Sequence, residues 1–449
     1  MLWALVGCLG ATPGTTQPRA TDLKSQSATP VEHLIVLMQQ NHTYDNYFGT
    51  YPRGDGFPEG LCVPVNPAHP EGDCIQPFHL GADRVADLDH SYETFLLQFN
   101  EGQMDGFVQA LNEKQQDGSL AMGYYDDRDI PYYWNLADEY VLFDRFFSSA
   151  PGGSIWNRMF WIAGVPGNAA NRIPEDGFRD LQTIFDQLQA RGISWKFYIN
   201  HYDPNLNYRA LGGIDFLDPQ IQWVPLLAFD RFIDDPELSS HIVNLDEYFL
   251  DLQNGTLPAV SYILALGATE HPLSSLAIGQ QFVKKLIQAL MQSDAWDHSA
   301  FLITYDDWGG WYDHVPPPQV DAYGYGFRVP ALLISPYAKR GYVDSTPYDF
   351  TSILKFIQEN WGLEPLSERS ANANGIQAAF DFTSPPREPR IIPWERACGE
   401  TGTCADPAPP RFGVIYGMYG TALLLGLILF GWMFTAADVE GYRKDRHER

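Results

Sequence analysis

Short apolar runs alternating with helical patterns limit what this chain can fold into. His33 to Met38, Ser194 to Ile199, Ala259 to Leu264, Phe301 to Tyr305 and Ala331 to Ile334 read as buried parallel strands. Leu181, Ile184, Phe185 and Leu188 share one helical face, as do Phe282, Leu286, Leu290 and Met291; Ile353, Phe356 and Ile357 mark another helix. Strands alternating with helices predict an α/β fold, a mostly parallel central sheet flanked by helices on both faces. The 39 Gly and 33 Pro argue for many loops and against a helical bundle. The stretch from 200 to 257 is aromatic and Pro-rich with little clean periodicity, and reads as an insertion that shapes a substrate pocket.

The two ends differ from the middle. Phe412 to Ala437 contains no charged residue and has aromatic residues near both of its ends. That is long enough for a transmembrane helix with interfacial anchors. Arg443, Lys444, Arg446 and Arg449 follow, which predicts a cytoplasmic tail and a large domain outside the cytoplasm, periplasmic or extracellular. The N-terminal MLWALVGCLGATPG is apolar but lacks a basic start. Leu5-Val6-Gly7-Cys8 resembles a bacterial lipobox; either the true start lies upstream or the match is chance. The expected organisation is an apolar segment and linker over 1–30, a main domain over 31–395, a juxtamembrane loop over 396–411, the transmembrane helix over 412–437 and a basic tail over 438–449. Cys62 with Cys74 and Cys398 with Cys404 are the natural local disulfides of an exported protein, although crossed pairing or free thiols stay open. No Cys-x-x-Cys pair occurs, so a zinc cluster is not expected.

Charge narrows the function. With 56 acidic against 29 basic residues the formal charge is −27, which disfavours nucleic acid as a partner. Anionic substrates would be repelled too, so phosphate chemistry needs a local positive centre such as a metal ion. Ligands of open parallel sheets collect at the carboxyl ends of the strands. There, the first run leads into Gln39, Gln40 and Asn41, and the fourth into Asp306 and Asp307, followed by Trp308-Gly309-Gly310. Adjacent carboxylates leaving an apolar strand are costly unless paired or coordinated, and a divalent cation is the simplest partner. The bland alternative is that one caps a turn and the other is solvated. Ser154 follows Pro151-Gly152-Gly153 and opens an apolar helical run, where amides and the helix dipole would stabilise an oxyanion; alone it would read as an N-cap. His90, His271 and His314 sit in dense polar contexts and are candidates for general acids or phosphate donors, each of which alone would more often be structural.

The segment HLIVLMQQNHTYDNYFGTYP resembles the opening motif of a bacterial phosphoesterase family of acid phosphatases and phosphatidylcholine-type phospholipases C with an alkaline-phosphatase-like fold. GYYDDRDIPYYWNLADEYVLFDRFF, GGSIWNRMF, VSYILALGATEHP, LITYDDWGGWYDHVPPP and FRVPALLISPYAKRGYVDSTPYDFTSIL continue the likeness in order. The resemblance implies a metal-dependent hydrolase of phosphate esters, with phospholipid as one substrate class and a phosphoseryl intermediate on Ser154. It implies one divalent metal ion held by Gln40, Asn41, Asp306, Asp307 and Ser154, with His90, His271 and His314 as active-site histidines. The chain departs from the pattern at Gln40 (family Glu), at His42-Thr43 (family Arg-Ser) and at Phe350 (family His). Those departures motivate an alternative, a catalytically degenerate membrane-anchored ectodomain that binds phospholipid or phosphate ligands without turnover. Sulfate ester hydrolysis on the same fold is a third expectation.

Overall fold

The computed structural model describes residues 27–211 and 218–396. The chain divides into two units, Met1–Arg396 and Ala397–Arg449, and the second lies outside the described residues. The expected span over 412–437, Cys8, Cys398 and Cys404 therefore also lie outside them. Among the described residues no helix is long and apolar enough to cross a membrane.

The core is one eight-stranded sheet. Its strands are β1 (His33–Gln39), β2 (Val141–Phe143), β3 (Trp195–Ile199), β4 (Ile242–Asn244), β5 (Val260–Leu264), β6 (Ser299–Tyr305), β7 (Ala331–Ile334) and β8 (Tyr342–Asp344). They lie in the order β8-β2-β7-β6-β1-β5-β3-β4. All neighbouring pairs are parallel except those made by β7, which runs antiparallel to both β6 and β2. All five apolar runs form strands, within a residue or two of the expected ends, but Ala331–Ile334 runs antiparallel to both neighbours instead of parallel, because the chain returns from the end of Ser299–Tyr305 without a crossover to the other rim. Leu34 to Met38 of β1 are all fully buried, so side chains on both faces of the sheet are covered.

The helices that position the site are α1 (Tyr44–Phe48), α2 (Tyr92–Phe99), α3 (Pro131–Glu139), α4 (Ser154–Ala163), α5 (Ile184–Ala190), α6 (Leu276–Met291) and α7 (Phe350–Trp361). Thr183 and Asp186 form a capping box that starts α5 at Ile184, leaving Leu181 before the helix. The buried face of α6 includes Val283, Leu286, Ile287, Leu290 and Met291, while Phe282 is only half-buried, so the face is turned slightly from the one expected. Cys62 and Cys74 form a disulfide, as the local pairing predicts. Phe350, where the resemblance expects a histidine, is fully buried at the start of α7, its ring tilted against that of Phe146 at 6.0 Å.

Candidate active site

β1 and β6 pair directly and in parallel, with Gln39 opposite Tyr305. The register brings Gln40-Asn41 and Asp306-Asp307 out of the sheet side by side, and the Asp306 amide donates to Gln39 O at 3.1 Å. Asn41 has φ 63°, a left-handed conformation that Asn tolerates better than most residues. Gly309 packs on that turn; a Cβ there would lie 2.4 Å from Asn41 O, and Gly309 itself has φ +60°.

Ser154 is the first residue of α4, with Gly153 as its cap. Asn157 holds the glycine turn: its Oδ1 accepts from the Ala150 amide at 2.9 Å and its Nδ2 donates to Gly152 O at 2.9 Å. The Ser154 hydroxyl donates to Asp307 Oδ2 at 3.4 Å. A cleft of about 410 Å³ opens on this serine, lined by Asp87, His90, Ser91, Gly153 and Asn171 among others.

The fully buried guanidinium of Arg158, one turn along α4 from Ser154, donates to Asp306 Oδ2 from Nη2 at 3.1 Å and from Nε at 3.3 Å. It also donates to Trp223 O at 2.9 Å. With its amide oriented so that the oxygen meets donors, Gln40 accepts from Arg158 Nη2 at 3.0 Å and from Trp223 Nε1 at 2.9 Å. Burial pulls Arg158 below its ordinary value, and Asp306 opposes that pull. Burial and then the charge of Asp306 push Asp307 well above the carboxylate range.

His90 lies on the other side. Its Nδ1 faces Leu88 O at 2.7 Å and its Nε2 faces Asn41 Nδ2 at 3.3 Å. Burial is the strongest single influence and disfavours the charged ring, but Asp307, the Leu88 carbonyl, Asp87 and Asp306 together more than offset it, so His90 sits above the ordinary imidazole value. His271 is close by, its ring 6.3 Å from His90 and stacked on Trp223 at 5.8 Å. His271 Nδ1 faces Pro272 O at 2.9 Å, which leaves Nε2 as the nitrogen available for chemistry.

His314 is held in a different network. Its Nδ1 pairs with Asp45 Oδ2 at 2.7 Å and its Nε2 lies 3.4 Å from Asp55 Oδ1. Buried Arg328 bridges Asp45 at 2.9 Å and Asp313 at 2.8 Å beside it. The structure thus brings Gln40, Asn41, Asp306, Asp307, Ser154, His90 and His271 together, and ties His314 to Arg328 and its carboxylates instead.

Groups of side chains able to hold a metal ion are present among the described residues. Asp45, Asp313 and His314 form one, and His79, Asp126 and Asp129 another. Arg328 already supplies a cation to the first, and Arg128 pairs with Asp126 in the second. The donors at the tips of β1 and β6 are better suited to a hard cation. Asn41 Oδ1 is buried and finds no hydrogen-bond partner among the described residues, and two carboxylates and a hydroxyl stand beside it.

The residues missed by sequence reasoning are Arg158 and Glu270. An arginine four residues after a serine in an otherwise apolar helix was a usable signal, since that spacing keeps both on one helical face. Glu270 carried only its position before His271. It is fully buried, and burial pushes it up to about 7.

Residues 31–364 match the phosphoesterase family. The chain belongs to that family. This phosphoesterase is a hydrolase acting on phosphoric ester bonds. It is similar to phospholipase C A of Mycobacterium tuberculosis, 29% identical over 426 residues covering 81% of this chain and 79% of that protein. A non-hemolytic phospholipase C of Pseudomonas aeruginosa is 28% identical over 426 residues, covering 80% of this chain and 58% of that protein. Among solved structures, a protein in the alkaline phosphatase superfamily from Vibrio parahaemolyticus aligns with TM-score 0.38 and 11% identity, covering 79% of this chain and 74% of that one.

Proposed function

We propose that this phosphoesterase is a phospholipase C-type enzyme that cleaves phospholipid phosphoesters with Ser154 as nucleophile. The observation that carries the reading is the Ser154 hydroxyl directed at Asp307 from the first turn of α4. Asp307 Oδ2 is the acceptor that the Ser154 hydroxyl faces, and it takes the Ser154 proton as Oγ attacks phosphorus. The bond from phosphorus to the alcohol oxygen then breaks, and His271 protonates the departing alkoxide. Water cleaves the resulting phosphoserine, giving its proton to His271, while the proton on Asp307 returns to Ser154. With phosphate bound, His90, whose charged form Asp307 favours against burial, exchanges the Asn41 amide at Nε2 for a phosphate oxygen and donates to it, and the N-terminus of α4 adds its amides.

Gln40, Asn41, Asp306, Asp307 and Ser154 are the side chains that would hold one divalent ion. Such an ion would supply positive charge to the phosphate and acidify the serine hydroxyl. Gln40 is the weakest of the set, because Arg158 and Trp223 already donate to its oxygen. Phospholipid as substrate is supported by the phospholipases C to which the chain is similar. We assign the phosphoesterase domain to 31–395 and place it outside the cytoplasm, anchored by 412–437; the Cys62–Cys74 disulfide supports an oxidising compartment.

Ser154→Ala tests the chemistry, with phosphatidylcholine and 4-nitrophenyl phosphate as substrates and added divalent ions. Turnover falls below detection while urea unfolding is unchanged; wild-type rates in the variant overturn the mechanism. A second reading, a domain that binds phosphoesters without turnover, is favoured by Gln40 turned to Arg158 and by the buried Phe350. It predicts that the unaltered protein binds phosphate and cleaves neither substrate with any divalent ion.

A further inference from the structure

Glu270 is an anomaly. It is 1% exposed, and its side-chain partners are neutral. Oε2 accepts from Tyr47 at 2.7 Å and from Tyr305 at 2.6 Å; Oε1 accepts from Tyr133 and, at 3.4 Å, from Gln39 Nε2. A carboxylate buried without a cation is costly, and a fold that needed only a polar anchor could use an amide.

The surroundings are built around it. Glu270 has φ 64° and Leu273 φ 77°, so two non-glycine residues in the left-handed region flank His271-Pro272. In α6, Gly279 gives up helix propensity to admit the side chain, because a Cβ there would lie 2.1 Å from Glu270 Cγ. The four donors come from the end of β1, from α1, from α3 and from the end of β6. Gln39 and Tyr305 each immediately precede the residues at the strand tips, Gln40 and Asp306. Gln39 Nε2 also donates to Ala268 O at 3.1 Å, a second tie to the same loop.

We infer that Glu270 is a positioning residue for leaving-group protonation: its carboxylate gathers the Gln39 amide and the Tyr305 hydroxyl from the two strand tips and fixes the strained loop that carries His271, whose ring lies 6.3 Å from that of His90. The inference rests on the role of His271 proposed above. The side chain does not reach the cleft itself and touches no reacting atom. By holding the backbone at residue 270 in a left-handed turn, it sets the distance and angle of the next residue's ring relative to Ser154 and Asp307. Proton transfer depends steeply on both.

The test compares two substrates of one class with different leaving groups. Monomeric dihexanoyl phosphatidylcholine releases an alcohol that needs protonation; 4-nitrophenyl phosphorylcholine releases a phenolate that does not. For His271→Ala, kcat on the alkyl ester falls about 100-fold or more while the aryl ester changes less than about fivefold. Glu270→Gln reproduces that split with KM unchanged. A merely structural role lowers both substrates by one factor, because it removes active enzyme, and that result overturns the inference. If Glu270→Gln does not fold, Tyr133→Phe removes one donor conservatively, and a smaller split in the same direction is expected; equal loss on both esters counts against positioning. Should His271→Ala itself show no split, the acid role of His271 fails and this inference with it. A split in His271→Ala without one in Glu270→Gln or Tyr133→Phe removes only the inference.

Discussion

Replacing Arg158 by Met probes the centre without touching the serine. The guanidinium is fully buried, makes two contacts to Asp306 at 3.1 and 3.3 Å, and donates to Trp223 O at 2.9 Å. At 3.1 Å and an effective dielectric of about 20, the attraction to Asp306 is about 5 kcal/mol, offset by the desolvation of both ions. Removing one partner leaves Asp306 charged, buried and beside Asp307, and that costs about 3–5 kcal/mol. Met keeps most of the side-chain volume, so the cavity contribution is small. The assay is urea unfolding at pH 7 followed by tryptophan fluorescence, with Arg158→Met, Asp306→Asn and the double variant. Arg158→Met loses about 3–5 kcal/mol, and Asp306→Asn relieves it, giving a coupling of at least about 2 kcal/mol in the cycle. A loss under about 1 kcal/mol, or losses that simply add, would refute the claim that this pair neutralises the strand tips.

Two further outcomes follow from the same residues. Burial raises Glu270 from 4.5 to about 7, so the folded state holds a proton that the unfolded state releases over that window. Stability therefore falls as pH rises from about 4.5 to about 7, by about 3 kcal/mol from this group, and Glu270→Gln flattens that slope in pH-dependent urea unfolding. Gln40→Glu restores a third carboxylate at the strand tips, and calorimetric titration with divalent ions should then give tighter binding, about tenfold or more. Equal affinity would remove Gln40 from the ligand set.

The strands of the sheet centre were legible because a strand buried on both faces needs a continuous apolar run, as in His33–Gln39 and Ser299–Tyr305. The sequence signal is weaker for β2, β4 and β8, since three residues carry too little periodicity to separate a strand from a loop. The stretch from 200 to 257 contains short helices such as Pro219–Trp223, below the length at which a helical period shows. At the site, Asp306-Asp307 and Ser154 stood out because each follows a local signal, an apolar strand or a glycine turn. Arg158 was legible as a spacing, four residues after Ser154, but its partners Asp306 and Trp223 come from distant parts of the chain. Glu270 was illegible for a different reason: Gln39, Tyr47, Tyr133 and Tyr305 converge on it from widely separated parts of the chain. His314 lies next to an Asp in sequence, yet Asp45, Asp55 and Arg328, all distant in sequence, decide its surroundings.

The reversed direction of β7 has an architectural consequence. Because Thr304 lies beside Ala331 in the sheet, the chain leaves at Asp306 and re-enters at nearly the same point on the rim. The excursion between them is topologically a closed handle, whose length is free of the threading rules that govern crossover connections. Its two ends are buried in the site, but lineages could lengthen, trim or exchange the exposed tip over 316–323 while every strand keeps its neighbour, which offers a route to new substrate preferences on an unchanged scaffold.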